Sequence, residues 1–544
     1  MKSKPINKSN LTNSNHLKRS LGLIVAALGF LLYVQTIGYS FVLDDASSIK
    51  QNRIVQEGIR GIGTLIHTPY RYGYWDKKDE LYRPLSLIMF AVEWQFLPDS
   101  STMFHFINVL LYCITGYLLF RLISRLFNNN LVIPFIASLL FIAHPVHTEV
   151  AAYIKSGDEI LCFLFCIITI NLILDYLITG RLSKLIFASI TLFLALLAKE
   201  TAITMILIIP MILFFFKEYN RSQFIKITGS LIIVTGVYLL MRANALGGII
   251  NTNEIASVDN ILAASPDYLS RFSTAVYVLG KYLLLLTIPI HLSIDYSASE
   301  ITILKGTDYR FLIALIIYLA LFVYAIIRLR KKDVITFCIL FYLITISVVS
   351  NLFVIIGTVM ADRLLFIPSM GFCLLIAVLL TKLFQSNYSI KEGSSVRGFI
   401  GNNKRIFFAT SLLLAFYSIK TWSRNPVWKD NNSLYIAGVN DAPNSSRSHY
   451  LYALYLLDNE AIPEQNPTHR NELFDETVNE FKASLDYYPK NFNDYLNHKI
   501  TINNQDKQLL VETYKMIAIT YRHKGDTANT NLYANKASAI EAIR

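Results

Sequence analysis

The stretch LGLIVAALGFLLYVQTIGYSFVLDD, residues 21–45, decides the fold class. Residues 21–41 carry no charged side chain, and about 20 apolar residues are what one helical crossing of a bilayer needs. The 20 residues before them are polar and basic, with Lys2, Lys4, Lys8, Lys18 and Arg19. The segment therefore reads as an uncleaved first span with its N-terminus inside, since a cleaved signal peptide has a shorter apolar region ending in small residues. Asp44 and Asp45 then emerge on the outer side.

The same kind of run recurs at 104–126, 131–147, 159–178, 182–198, 201–216, 224–241, 311–327, 334–352, 364–383 and 406–419, so about 11 spans are expected. With that count the basic clusters Arg121 with Arg125, Arg181 with Lys184, Lys217 with Arg221, Arg328 to Lys332 and Lys404 with Arg405 all fall inside, as topology demands. Residues 272–292 are apolar enough to cross, but a crossing there would put Arg328 to Lys332 outside. Lys281 and Pro289 within it suit a re-entrant or interfacial segment.

The composition agrees. Of 544 residues, 53% are hydrophobic and 16% charged, against about 25% charged in soluble proteins, and mean hydropathy is +0.42. The net charge of +12 is not the footprint of a nucleic-acid binder. Residues 421–544 hold 13 basic and 15 acidic side chains, which leaves 37 basic against 23 acidic in the first 420; the positive charge belongs to membrane orientation, and no nucleic-acid partner is expected. Cys113, Cys162, Cys166, Cys338 and Cys373 all lie in apolar runs and read as packing residues.

The expected class is all-α: a polytopic membrane helical bundle with a small C-terminal helical domain. Residues 1–20 form a cytoplasmic tail, 21–420 the membrane domain with outer loops 42–103 and 242–310, and 421–544 an outer helical domain. In that tail Ala518, Tyr521, Gly525, Ala534 and Ala537 recur at helical spacing, and Phe481, Ser484 and Pro489 suggest the end of a similar pair. Degenerate tetratricopeptide units fit this pattern, with a plain helical tail the alternative.

Polar residues gather at the outer margins. Asp44 and Asp45 form a carboxylate pair, read either as a helix cap or as a general base with an orienting partner. Arg83, Lys199 and Arg363 suit an anionic phosphate, or simple salt bridges to Glu93, Glu200 and Asp362. His144, His147 and Glu149 follow one another in HPVHTE, with a divalent metal or a hydrogen-bonding, structural or acceptor-site role open. Asp158, Glu159, Glu200 and Asp362 complete the set. Ionisable groups near membrane helices line cavities or pair with one another, so one outer cavity is expected.

Taken together, the blocks FVLDD (41–45), YRPL (82–85), HPVHTE (144–149), LAKE (197–200), SNLF (350–353) and DRLLFIPSMGF (362–372) resemble those of the transmembrane and tetratricopeptide-repeat protein O-mannosyltransferases. These lie within the polyprenyl-phosphate-dependent glycosyltransferases of the C superfamily, GT-C. Asp362-Arg363 stands where that family often has Glu-Arg, and the tail is shorter than its usual repeat array. The resemblance implies a GT-C bundle that transfers mannose from a polyprenyl-phosphate-sugar to a protein or glycan hydroxyl, with inversion. Asp44 or Asp45 would be the base, and Arg83, Lys199 and Arg363 would hold the donor phosphate. His144, His147, Glu149, Asp158, Glu159, Glu200 and Asp362 would support the acceptor or the active site. No cofactor is required and a divalent metal is optional. A bacterial inner-membrane protein facing the periplasm is expected. A lipid-linked sugar transporter or flippase, or a non-catalytic scaffold, are the rival readings.

Overall fold

The computed structural model describes residues 8–76, 80–128, 130–248, 255–297, 299–385, 395–488 and 503–542. Among these, all regular structure is helical. The chain forms two compact units, neither continuous in sequence: Met1–Asn251, Leu319–Val348 and Arg363–Lys429 make the first, and Thr252–Tyr318, Val349–Asp362 and Asp430–Arg544 the second.

Among the described residues, seven helices are long and apolar enough to cross a membrane: His16–Gly38, Ser101–Leu126, Ile154–Thr179, Arg221–Leu246, Tyr268–Thr287, Tyr309–Lys331 and Lys404–Trp428. The pair Val132–Ala143 and Pro145–Ala152, bent by 53°, makes an eighth if it is one span. Pro145 causes the bend, because it has no N–H to continue the ladder and its ring clashes with the preceding turn. Leu182–Ala198, Glu200–Phe216, Val334–Ser347 and Pro368–Leu383 are shorter apolar helices that occupy the remaining expected runs. The molecule is a multi-pass membrane protein. Tyr268–Thr287, read above as re-entrant or interfacial, passes the same test of length and apolarity as the other six. Pro289 lies beyond its end, and Lys281 rests over the rings of Tyr277 and Tyr296 at 6.0 and 5.6 Å, so neither breaks it.

In the first unit the first helix packs on Ser101–Leu126 and Val132–Ala143 around one apolar core that includes Val25, Tyr112, Phe120, Phe141 and Ile142. The helices approach closely: a Cβ added to Gly116 would lie 2.6 Å from Ile142 Cδ1. Only glycine leaves that space. All five cysteines are buried and free, as packing residues would be.

The second unit joins the tail helices to segments from the middle of the chain. Ser257 donates its backbone N–H and hydroxyl to Asp506 Oδ1 at 2.7 and 2.9 Å, and Arg447 pairs with Asp259 at 2.9 Å. In SNLF, Asn351 takes a left-handed φ of 58° and ties its own loop, donating to Thr358 and Val359 carbonyls and accepting from the Ile356 N–H. Helices Asn504–Lys524 and Thr527–Ala542 pack as a pair turned at Gly525, φ 82°. Pro489, part of the repeat pattern, lies outside the described residues.

Candidate functional site

The site grows from the turn that follows the first helix. Asp45 is fully buried, and its Oδ2 accepts from the Val42 N–H at 3.0 Å while Oδ1 accepts from the Lys155 N–H at 2.9 Å. Its backbone N–H returns to the Val42 carbonyl at 3.0 Å. The turn closes so tightly that Leu43 has φ 48°, an uncommon conformation for a branched aliphatic residue. The consequence is a division of labour within FVLDD: Asp45 faces inward as a strut, and Asp44 is left 27% exposed at the rim with Arg71 3.4 Å away. The Asp44 N–H donates to the Tyr153 hydroxyl at 2.9 Å, and Tyr153 stacks on Trp428 with ring centroids 5.1 Å apart. Burial, reinforced by the Asp44 charge, pushes the Asp45 carboxyl up to about 8.

Beside this turn lies a buried ion network. Arg83 forks onto Glu200, Nε to Oε2 at 2.9 Å and Nη2 to Oε1 at 2.5 Å, and its Nη1 reaches Asp158 Oδ2 at 2.6 Å. Burial opposes the Arg83 charge, but Glu200 and Asp158 outweigh it and raise its pKa well above the ordinary value. Lys199 Nζ lies 2.5 Å from Glu159 Oε1 and 3.5 Å from Asp158 Oδ1. Arg363 pairs with Glu149 through its guanidinium and through its backbone N–H, the latter at 2.9 Å. Local sequence makes this geometry: Pro84 starts a helix directly after Arg83, and Asp158 and Glu159 occupy the first turn of Gly157–Thr179, where carboxylates suit the helix dipole.

Each of the three cations expected to hold phosphate therefore carries a carboxylate. The pairing differs from adjacency in sequence, because Lys199 uses Glu159 and Asp158, and Arg363 uses Glu149. Asp362 instead accepts the Tyr296 hydroxyl at 2.7 Å within the second unit. Glu93 is buried with no hydrogen-bond partner on either oxygen among the described residues, and burial pushes its carboxyl up to about 9.

The two histidines sit inside the protein. His147 bridges the Tyr112 hydroxyl at 2.9 Å and the Ser369 hydroxyl at 2.8 Å, and His144 Nδ1 faces the Val146 N–H at 3.4 Å. HPVHTE is thereby latched to PSMGF, 222 residues apart at His147 and Ser369. Among the described residues no three His, Cys, Asp or Glu side chains converge as metal ligands. Arg71, Tyr153 and Lys155 are site residues that motif reading missed. Lys155 carried one signal, a charge isolated in the mostly uncharged run between Glu149 and Asp158.

The model of the family protein O-mannosyl-transferase TMTC, DUF1736, matches residues 251–322. The chain is 28% identical to protein O-mannosyl-transferase F38B6.6 of Caenorhabditis elegans over 80% of this chain and 60% of the relative. It is 27% identical to protein O-mannosyl-transferase TMTC1 of Homo sapiens, over 86% of this chain and 55% of the relative. It thus spans somewhat over half the length of these relatives. A crystal structure of the Archaeoglobus fulgidus oligosaccharyltransferase in the apo form aligns with TM-score 0.40 and 14% identity over 84% of this chain and 59% of that one. The resemblance drawn from the motifs is borne out by the family model and the relatives. These relatives are animal proteins, and the expected bacterial origin finds no support among them.

Proposed function

We propose that this chain is a membrane glycosyltransferase that moves a monosaccharide, mannose as the first choice, from a polyprenyl-phosphate donor to a Ser or Thr hydroxyl of a protein on the outer face of the membrane. The carrying observation is the split within the carboxylate pair. Asp45 has both oxygens committed to backbone N–H groups inside the protein, whereas Asp44 sits at the rim, so Asp44 is the base and Asp45 its support. Similarity to protein O-mannosyl-transferases supports the sugar and acceptor class.

In this reading Asp44 takes the proton of the acceptor hydroxyl as its oxygen attacks the anomeric carbon. The bond from that carbon to the phosphate oxygen breaks, its electron pair leaves with polyprenyl phosphate, and the configuration inverts. Arg71 holds the Asp44 carboxylate in place. Of the three cations expected at the phosphate, Arg363 is the most open, at 23% side-chain exposure against 7% for Arg83 and 3% for Lys199. Arg363 is thus placed to meet charge growing on the leaving group. Arg83 and Lys199 frame the site from beneath.

The test is mannose transfer by the purified full chain in detergent, with radiolabelled polyprenyl phosphate mannose and a mixed protein acceptor. Asp44→Asn is expected to lose at least about 100-fold in turnover while keeping its melting temperature. Full activity in Asp44→Asn would refute the assignment of the base.

A further inference from the structure

Lys155 lies in the turn Ile154–Ser156 that leads into Gly157–Thr179. It is 4% exposed, and its backbone N–H is the group that holds Asp45. Its ammonium makes no hydrogen bond and no ion pair with any described residue. The charges that act on it are Asp158 and Asp44, which attract it, and Arg363 and Arg83, which repel it. Every other cation of the site has a carboxylate in contact: Arg71 has Asp44, Arg83 has Asp158 and Glu200, Lys199 has Glu159, and Arg363 has Glu149. The neighbouring Ser156 is also fully buried, with its hydroxyl oxygen unpartnered among the described residues.

A lysine this deeply buried without a contact partner for its ammonium is costly to a fold. Part of that cost is offset at longer range, because Arg83 and Lys199 face three carboxylates, Asp158, Glu159 and Glu200. Hydrogen-bonding capacity is a separate matter, and three N–H donors on Lys155 and the hydroxyl of Ser156 are left for something the protein does not supply. An anion rich in acceptor oxygens matches that need.

We propose that the Lys155 ammonium and the Ser156 hydroxyl bind the phosphate of the lipid-linked sugar donor and stay on it as polyprenyl phosphate departs. This rests on the reading of the chain as a polyprenyl-phosphate-dependent transferase. It replaces Arg83 and Lys199 as the phosphate ligands and leaves them as the frame. During transfer Lys155 donates hydrogen bonds to the phosphate oxygen that receives the electron pair of the broken bond, and no proton leaves the lysine.

The experiment uses the full chain in detergent, with polyprenyl monophosphate as the probe and inorganic phosphate as a second arm, read by binding isotherm and by thermal shift. Lys155→Met keeps the volume and removes the charge. Wild type is expected to bind the lipid phosphate, with inorganic phosphate competing weakly for the same site. Lys155→Met is expected to bind at least about tenfold more weakly, with a melting temperature without ligand that is unchanged or raised. Ser156→Ala, which keeps the charge, is expected to weaken binding by about threefold to tenfold. Wild-type affinity in Lys155→Met overturns the proposal; so does wild-type affinity in Ser156→Ala if Lys155→Met does not fold. A wild-type protein that neither binds polyprenyl phosphate nor transfers sugar overturns the functional reading itself. Binding by wild type that survives both substitutions overturns only the assignment of these two residues.

Discussion

The Arg83 network and the FVLDD rim lie in one unit and draw on the same residue types, yet they differ in how completely their charges are matched. In the network, Arg83 uses its Nε and both terminal nitrogens on Glu200 and Asp158, and Lys199 sits between Glu159 and that same Asp158, with Arg83, Lys199, Asp158 and Glu159 all at or below 7% side-chain exposure. At the rim, Asp44 meets Arg71 at 3.4 Å with both side chains partly open, and the buried Lys155, whose N–H holds Asp45, has no contact partner for its ammonium among the described residues. Buried charges in direct contact with their partners hold a fold together, whereas partly exposed ones are within reach of a substrate. A charged motif in a membrane protein is therefore classed by its partners more than by its residue types.

Breaking the matched side has the largest effect. Asp158→Ala leaves Arg83 and Lys199 short of a buried counter-ion, and the loss is expected at about 3–5 kcal/mol, read as a lowered melting temperature and poor yield of folded protein. Folding unaffected by that change would show that the network is not what separates the two regions.

Next comes the exposed carboxylate. The turnover loss expected for Asp44→Asn, at least about 100-fold, corresponds to roughly 2.7 kcal/mol in the barrier, with stability nearly unchanged. Measuring both quantities on one preparation sharpens the contrast, since a fall in melting temperature as large as that of Asp158→Ala would place Asp44 with the matched charges.

Asp45→Asn falls between the two regions. An amide cannot accept from both the Val42 and Lys155 N–H groups, so about 1–3 kcal/mol of stability is expected to be lost at low pH. The pH dependence has a definite sign. The folded carboxyl titrates near 8 against an ordinary value of 3.8, so between those pH values the folded form holds more protons than the unfolded chain and stability falls as pH rises. Asp45→Asn should flatten that decline in chemical denaturation at stepped pH, and an unchanged slope would dismiss Asp45 as its source.

The smallest effect belongs to Arg71→Ala. Its ion pair with Asp44 is partly exposed, and such pairs contribute about 1 kcal/mol or less, so stability should scarcely move while turnover drops a few-fold. A loss as deep as that of Asp44→Asn would make Arg71 a direct ligand of the substrate.

Much of this is legible in the amino-acid sequence. The apolar runs announce membrane helices because backbone polar groups in lipid are satisfied only inside a helix, and the HPVHTE and DRLLFIPSMGF blocks marked segments that do meet, through His147 with Ser369 and Glu149 with Arg363. The re-entrant or interfacial reading of 272–292 rested on the side taken by Arg328 to Lys332 and on Lys281 and Pro289; the structure adds that Lys281 lies over aromatic rings and that Pro289 falls past the helix end, so the helix Tyr268–Thr287 is unbroken.

What the sequence determined by itself is whatever depends on local composition and period: an all-helical membrane chain, its approximate spans, and the residues able to carry charge-based chemistry. Partner choice was decided only by the tertiary structure. Arg83 and Glu200 are 117 positions apart and Asp45 and Lys155 are 110 apart, and no local rule ranks one distant carboxylate over another. Asp44 and Asp45 are chemically identical neighbours in the chain. The closed turn at Leu43 puts one in the interior and the other at the rim, and the proposed division into a strut and a base rests on that difference in solvation.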